Sequence, residues 1–195
     1  MFIELTDHLR CLGDHDEAYL VLLPGHMAGR AVVSGHLGCP VCGWSTEFSG
    51  GEVDFGGGQP ATGETGLTAE AVVAFLGLSG PGGYVALVGS TARLIPSLAA
   101  LLPGVRLVAV NPPAGAAADE PASVLRAPEM PLKRSCLRGV VVGADFGAEP
   151  AWVEAAVRAV LPGLRVVVEG ATPGEILGLE ILASGGGVWV GRKGK

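Results

Sequence analysis

The sequence predicts an α/β fold in two unequal parts: a small cysteine- and histidine-rich unit, then a compact, mostly parallel sheet that ends in an antiparallel hairpin. Three observations predict it. All four histidines and three of the four cysteines stand at or before Cys42. Beyond residue 67, all-apolar runs alternate with amphipathic stretches, the pattern of strands buried on both faces between helices. The last segment holds two apolar runs joined by Gly185-Gly186-Gly187, which reads as a hairpin. At 195 residues and 49% hydrophobic, the chain has ample apolar surface to bury, which excludes disorder over most of its length.

Charge divides the chain the same way. Residues 1–66 carry nine acids against Arg10 and Arg30, and residues 67–195 ten acids against eleven bases. The overall charge of −6 offers no basic footprint for a nucleic acid, so none is expected as a partner. The uncharged run Ala71–Ala92 is split by Gly80-Pro81-Gly82-Gly83 into a short helix and a short strand, so no transmembrane segment is expected. Glu4 stands within an N-terminus that carries no leader pattern, and a cytoplasmic location is the expectation.

The first part is organised around metal-ligand spacing. Cys39-Pro40-Val41-Cys42-Gly43 places two thiolates three apart, with a glycine free to make the tight turn that aims backbone N–H groups at sulfur. Cys11 and His15 supply a second pair, so Cys11, His15, Cys39 and Cys42 are the candidate zinc ligands. Asp14, His8, His26 and His36 stand as alternatives for the fourth place. The stretch between His15 and Cys39 fits a hairpin with Tyr19–Leu23 out, a Pro24-Gly25 turn and Ala31–Val33 back. A Cys-x2-Cys pair also serves redox chemistry, but no helix pattern follows this one. Four protein ligands make a structural site rather than a catalytic one.

Leu9-Arg10-Cys11, Gly29-Arg30, Gly35-His36-Leu37-Gly38-Cys39-Pro40-Val41-Cys42 and Gly50-Gly51-Glu52-Val53-Asp54-Phe55 together resemble the small zinc-ribbon activator subunits of tRNA and protein methyltransferases. The resemblance covers roughly residues 2–56. It departs at Leu12, where proline is usual, and at His15, where a second cysteine is usual. It implies a domain that holds a protein partner and does no chemistry itself.

The predicted organisation is a zinc-ribbon domain over 1–58, a linker over 59–67 and a second domain over 68–195. Gly56–Gly63 reads as a flexible joint. Thr68 caps a helix with Val72, Val73, Phe75 and Leu76 inward. Tyr84–Val88 is a strand. Leu94 to Leu102 is a helix that must start near Pro96. Val105–Val110 and Val140–Val142 are strands, Trp152 to Leu161 is a helix, and Val166–Val168 is a strand. Leu102-Pro103-Gly104-Val105-Arg106-Leu107-Val108 repeats as Leu161-Pro162-Gly163-Leu164-Arg165-Val166-Val167, a helix, a Pro-Gly stop and a buried strand each time.

This order, with Val160–Glu169 and Met130-Pro131-Leu132, resembles the Rossmann-like fold of S-adenosylmethionine-dependent methyltransferases over roughly residues 68–192. The resemblance implies where a cofactor would sit. The glycine-rich motif after the first strand falls on Leu87, Gly89, Thr91 and Arg93, so one glycine of three remains and the acid is gone. Asn111 stands where an acid grips the ribose. Arg126-Ala127 stands where an acid meets the adenine. Asp145 follows the fourth strand. Gly89, Asn111 and Asp145 are therefore the candidate cofactor contacts. S-adenosylmethionine itself is not expected, because lost charge-assisted hydrogen bonds cost about 1.5–3 kcal/mol each.

No histidine lies beyond His36, so a Ser-His-Asp triad is excluded there. Cys136 has basic neighbours but reads as an inert thiol. These readings imply a zinc-binding, methyltransferase-like protein without catalysis of its own, a scaffold or accessory subunit for another protein. The alternative is a divergent S-adenosylmethionine-dependent methyltransferase.

Overall fold

The computed structural model describes residues 1–115, 122–170 and 173–195. A 3-10 turn at Ile3–His8 precedes strands β1 (Val21–Ala28), β2 (Ala31–Gly38), β3 (Ser45–Phe48) and β4 (Glu52–Asp54). Helix α1 (Ala69–Leu76) leads into β5 (Tyr84–Val88), a 3-10 turn at Gly89–Leu94, α2 (Ile95–Leu101), β6 (Arg106–Val110), β7 (Ala122–Arg126) and β8 (Leu137–Val142). The turn α3 (Ala144–Gly147), helix α4 (Pro150–Ala159), β9 (Val160–Glu169) and the hairpin β10 (Leu179–Gly185) and β11 (Val188–Lys193) complete the chain.

Strands β1-β2-β3 form one antiparallel sheet, and the other eight form a second, in the order β10-β11-β9-β8-β5-β6-β7-β4. From β9 to β4 every neighbour is parallel; β11 is antiparallel to β9, and β10 to β11. This is the predicted mostly parallel α/β sheet with its closing hairpin. The sequence repeat holds only in part: Pro103-Gly104 separates α2 from β6, whereas α4 ends at Ala159 and Pro162-Gly163 lies inside β9 at a register shift, although Gly104 and Gly163 are both left-handed at φ +79 and +80.

Local chemistry explains the elements. The Thr68 hydroxyl accepts from Ala71 N at 3.2 Å and starts α1. Gly77 in the left-handed region ends it. Pro96 sits in the first turn of α2, where its missing N–H has no partner to lose. Strand β5 is buried end to end, and β6 and β8 are buried except at Arg106 and Arg138; their side chains alternate faces. Val85, Leu87, Leu107 and Val141 pack with α1 and α2. Ala86, Val88, Val108, Val140 and Val142 pack on the other side with Trp152 and Ala156 of α4.

That second face is also covered by the N-terminal unit. Met1, Leu5, Leu9, Val32, Leu37, Phe48 and Val53 belong to the same core as the sheet residues. Backbone bonds hold it in place, from Arg10 N to Pro131 O at 3.0 Å and from Lys133 N to His8 O at 2.8 Å. Strand β4 goes further and pairs in parallel with β7, so a strand from residues 1–58 forms the edge of the large sheet.

The hairpin corrects one expectation. Pro24 and Gly25 lie inside β1, at a register shift, and the turn is Gly29-Arg30. A proline has no N–H for the ladder, and a bulge absorbs it. Gly29 takes φ +60, as a two-residue hairpin of this kind requires. The Arg138 guanidinium donates to the carbonyls of Ser79, Gly80, Pro81 and Gly82 and so ties the loop before β5 to β8.

Candidate functional site

Two places concentrate the predicted site residues. The first lies where β2 ends and the Cys11 segment crosses it. The ligand atoms of Cys11, His15, Cys39 and Cys42 all lie within 4.8 Å of one another. Cys11 Sγ is 3.6 Å from Cys42 Sγ, and Cys39 Sγ is 3.5 Å from His15 Nε2. Tetrahedral zinc with Zn–S of about 2.3 Å and Zn–N of about 2.0–2.1 Å needs edges of roughly 3.5–3.8 Å, so the donors are spaced for it.

The surroundings suit thiolates. Gly13 N–H donates to Cys11 Sγ and Val41 N–H to Cys39 Sγ. Gly43 at φ +73 makes the turn after the Cys-x2-Cys pair, and its N–H bonds to Cys39 O. Burial pushes the Cys11 thiol up to about 11. Burial also opposes ionisation of Cys39, but hydrogen bonds from the Cys42 and Val41 backbone bring it down to about 6. His15 Nδ1 lies 2.7 Å from Asp16 O, a bond that fixes the ring and leaves Nε2 for a metal. The alternatives to His15 lie elsewhere: His8 packs edge-on against Tyr84, and His26 and His36 belong to β1 and β2.

The second place is the rim formed by the C-terminal ends of the parallel strands, where open α/β sheets bind ligands. Gly89 follows β5, Asn111 follows β6 and Asp145 follows β8, so the structure gathers all three candidate contacts on one rim. The predicted flexible joint runs across this rim and is bonded to it. Ala61 N donates to Asn111 O at 3.2 Å, and Gly63 N to Asp145 Oδ1 at 2.8 Å. Thr65 Oγ1 donates to Glu169 Oε2 at 2.8 Å, and Gly66 N to Glu169 Oε1. Glu64 pairs with Arg93 at 3.4 Å. The glycines of this segment serve closeness as well as turning. A Cβ on Gly58 would collide with Ala127 N and lie 2.8 Å from Asn111 Oδ1, and one on Gly63 would collide with Asp145.

Each rim residue is thereby engaged within the protein. Asn111 is buried at φ +50, a conformation asparagine tolerates. Its Nδ2 donates to Ala127 O at 2.8 Å, and its Oδ1 accepts from Ala127 N at 2.9 Å. Asp145 also accepts from Ser90 N at 3.0 Å. Burial raises the pKa of Asp145, but the hydrogen bonds from Ser90 and Gly63 outweigh it and hold the carboxyl below its ordinary value. Thr91 is buried and donates to Val88 O and Val141 O. A Cβ on Gly89 would lie 2.7 Å from the Phe146 ring, so that ring stands over the one remaining motif glycine.

Glu169 is the rim residue that sequence reasoning missed as a site. Its signal was its place, directly after the apolar run of β9. Cys136 is no nucleophile: it donates to Lys133 O, and burial pushes its thiol up to about 12. Trp44 stacks on Phe55 at 5.3 Å between ring centroids, and Phe48 is buried in the core.

The sequence matches no family model and no curated protein. Among solved structures, the chain is similar to the antibiotic-resistance methyltransferase Kmr, at 16% identity and TM-score 0.47, over 71% of this chain and 98% of that one. It is similar to a SAM dependent methyltransferase from Aquifex aeolicus at 15% identity and TM-score 0.46, over 64% and 88%. It is also similar to a chain in the complex between the Haloferax volcanii Trm112 methyltransferase activator and the putative methyltransferase, at 15% identity and TM-score 0.43, over 52% and 50%. The fold assignment rests on the strand order itself: a mostly parallel α/β sheet closed by an antiparallel hairpin.

Proposed function

We propose that this protein binds zinc through Cys11, His15, Cys39 and Cys42, transfers no methyl group, and works as a protein-binding scaffold or accessory subunit. The observation that carries this reading is the segment 57–67 bonded across the strand ends. Asn111, Asp145 and Glu169 spend their polar atoms on that segment and on the neighbouring backbone. A cofactor with ribose hydroxyls needs acceptors on this rim, and segment 57–67 competes for them and for the space beside them. The residues do not fit S-adenosylmethionine, and no step is routed through it.

The four-donor cluster fits zinc in spacing and chemistry, and a metal with four protein ligands has no open position for catalysis. Its role is to lock the Cys11 segment to the end of β2. A surface for a partner is available beside it, where Tyr19, Val21 and Leu23 are exposed next to the exposed acids Asp14, Asp16 and Glu17. An apolar strip with an acidic margin favours a partner that is apolar and basic.

Isothermal calorimetry of the zinc-loaded protein with S-adenosylmethionine and S-adenosylhomocysteine tests the reading. The expected result is no binding heat for either. A dissociation constant in the micromolar range would overturn it in favour of a divergent methyltransferase.

A further inference from the structure

The far end of β9 from Glu169 carries a feature unrelated to the rim. Where α4 gives way to β9, a hollow of about 570 Å³ is lined by Arg134, Arg158, Lys193 and Lys195. In a protein of charge −6 this grouping of four cations is unusual, and it comes from three separate stretches of chain. We propose that the hollow binds a small phosphate compound, with Arg134 and Arg158 as the hydrogen-bond partners of the anion and the Lys193 ammonium as a fixed charge beside it.

Three observations lead there. Among the described residues, the Nε and Nη2 atoms of Arg158 are buried and have no hydrogen-bond partner. A buried guanidinium left unpaired is costly, and such an orphan calls for a ligand. Second, the Lys193 ammonium is fixed by Ser135 Oγ at 3.0 Å, Arg158 O at 2.8 Å and Val160 O at 2.7 Å, all uncharged acceptors. Its position is set, but its charge is not balanced. Third, among the described residues neither Arg158 nor Lys193 forms an ion pair. Burial lowers the pKa of Arg158 and of Lys193, and Arg134 lowers that of Lys193 further. An anion between Arg134 and Lys193 would offset that repulsion.

The chemistry favours phosphate over a single carboxylate. Glu154 and Glu175 also line the hollow, so a ligand must bring enough charge to outweigh them. A dianion meeting the guanidinium groups beside the Lys193 charge does so, and each guanidinium bond is of the stronger, charge-assisted kind. The space exceeds what bare phosphate fills, and Val157, Ile176 and the fully exposed Leu177 border it. That apolar side fits the organic part of a phosphate ester.

The test uses the full chain, followed by thermal unfolding and calorimetry. The probes are inorganic phosphate and phenyl phosphate, each against sodium chloride of equal ionic strength. Saturable stabilisation by both is expected. A lower half-saturating concentration for phenyl phosphate assigns the site to an ester, and equal concentrations assign it to free phosphate. The double variant Arg134→Ala, Lys195→Ala changes two exposed side chains and leaves the fold intact; it should weaken binding about tenfold or more. No stabilisation beyond that of chloride, or stabilisation unchanged in the double variant, would overturn the proposal. The outcome is independent of the reading given to the rim.

Discussion

The backbone N–H of Gly63 donates to Asp145 Oδ1 at 2.8 Å, and no side chain larger than hydrogen fits at Gly63 without striking that carboxylate. A residue expected to lend slack to a joint is thus a fixed point of the fold. The bond also spends the one acid left on the strand-end rim of β8.

Gly63→Ala should therefore destabilise the protein by about 1–3 kcal/mol, the usual cost of forcing a methyl group into occupied space. Gly174→Ala is the control, because a Cβ there meets nothing within 4 Å. Urea unfolding of both variants checks this. Equal midpoints would show that segment 57–67 is not held as described.

Asp145→Asn should cost about 1 kcal/mol at neutral pH, after allowance for partial solvent screening. The folded carboxyl has a lowered pKa, so its stabilisation is full above the unfolded value of about 4 and is lost as pH falls through the folded value. The wild type and variant should differ at pH 7 and converge in strong acid. A difference that grows as pH falls would contradict the assignment.

Elemental analysis should find about one zinc per chain, and Cys42→Ser should reduce it to near zero. Cys42 is exposed, so the substitution removes a ligand and little packing. Chelation should then lower the melting temperature of the wild type and leave that of the variant unchanged. The reverse pattern would place the metal elsewhere.

Phe48→Ala should cost about 3–5 kcal/mol, as a buried aromatic does. Trp44→Ala loses the stack on Phe55 and some packing, so its smaller cost includes about 0.5–1.5 kcal/mol for the ring pair. Chemical denaturation of the two variants separates them. Equal, negligible effects would mean that these rings serve an outside partner rather than the fold.

Much of this was legible in the sequence for physical reasons. Tyr84–Val88 and Val166–Val168 are continuous apolar runs, which only burial on both faces satisfies, and both became central strands of one parallel sheet. The ligand spacing of Cys39 and Cys42 is local, so it survives translation into structure unchanged. The place of His15 beside Cys39 is harder to read, because it depends on how two distant segments meet. Strand β4 escaped notice because so short a strand carries no period, and its pairing with β7 is set by the register of a neighbour. The role of Gly58 and Gly63 was misread because a glycine needed for close contact and a glycine needed for freedom look the same in sequence. The turn at Gly29 lost to Pro24-Gly25 for a similar reason: both pairs have turn chemistry, and only the strand register decides.

The parallel pairing of β4 with β7 sets an order of events during synthesis. Glu52–Asp54 leaves the ribosome long before Ala122–Arg126, yet it has no place in the large sheet until β7 exists. Met1, Leu5 and Leu9 wait likewise for strands and a helix still to be made. Such distant pairings form slowly and leave apolar surface open in the meantime. The Cys11–Cys42 cluster, in contrast, is complete as soon as Cys42 has emerged. On the proposed reading, a metal captured there would hold the Cys11 segment to the end of β2 during the wait, so metal supply during translation would matter more than in the finished protein.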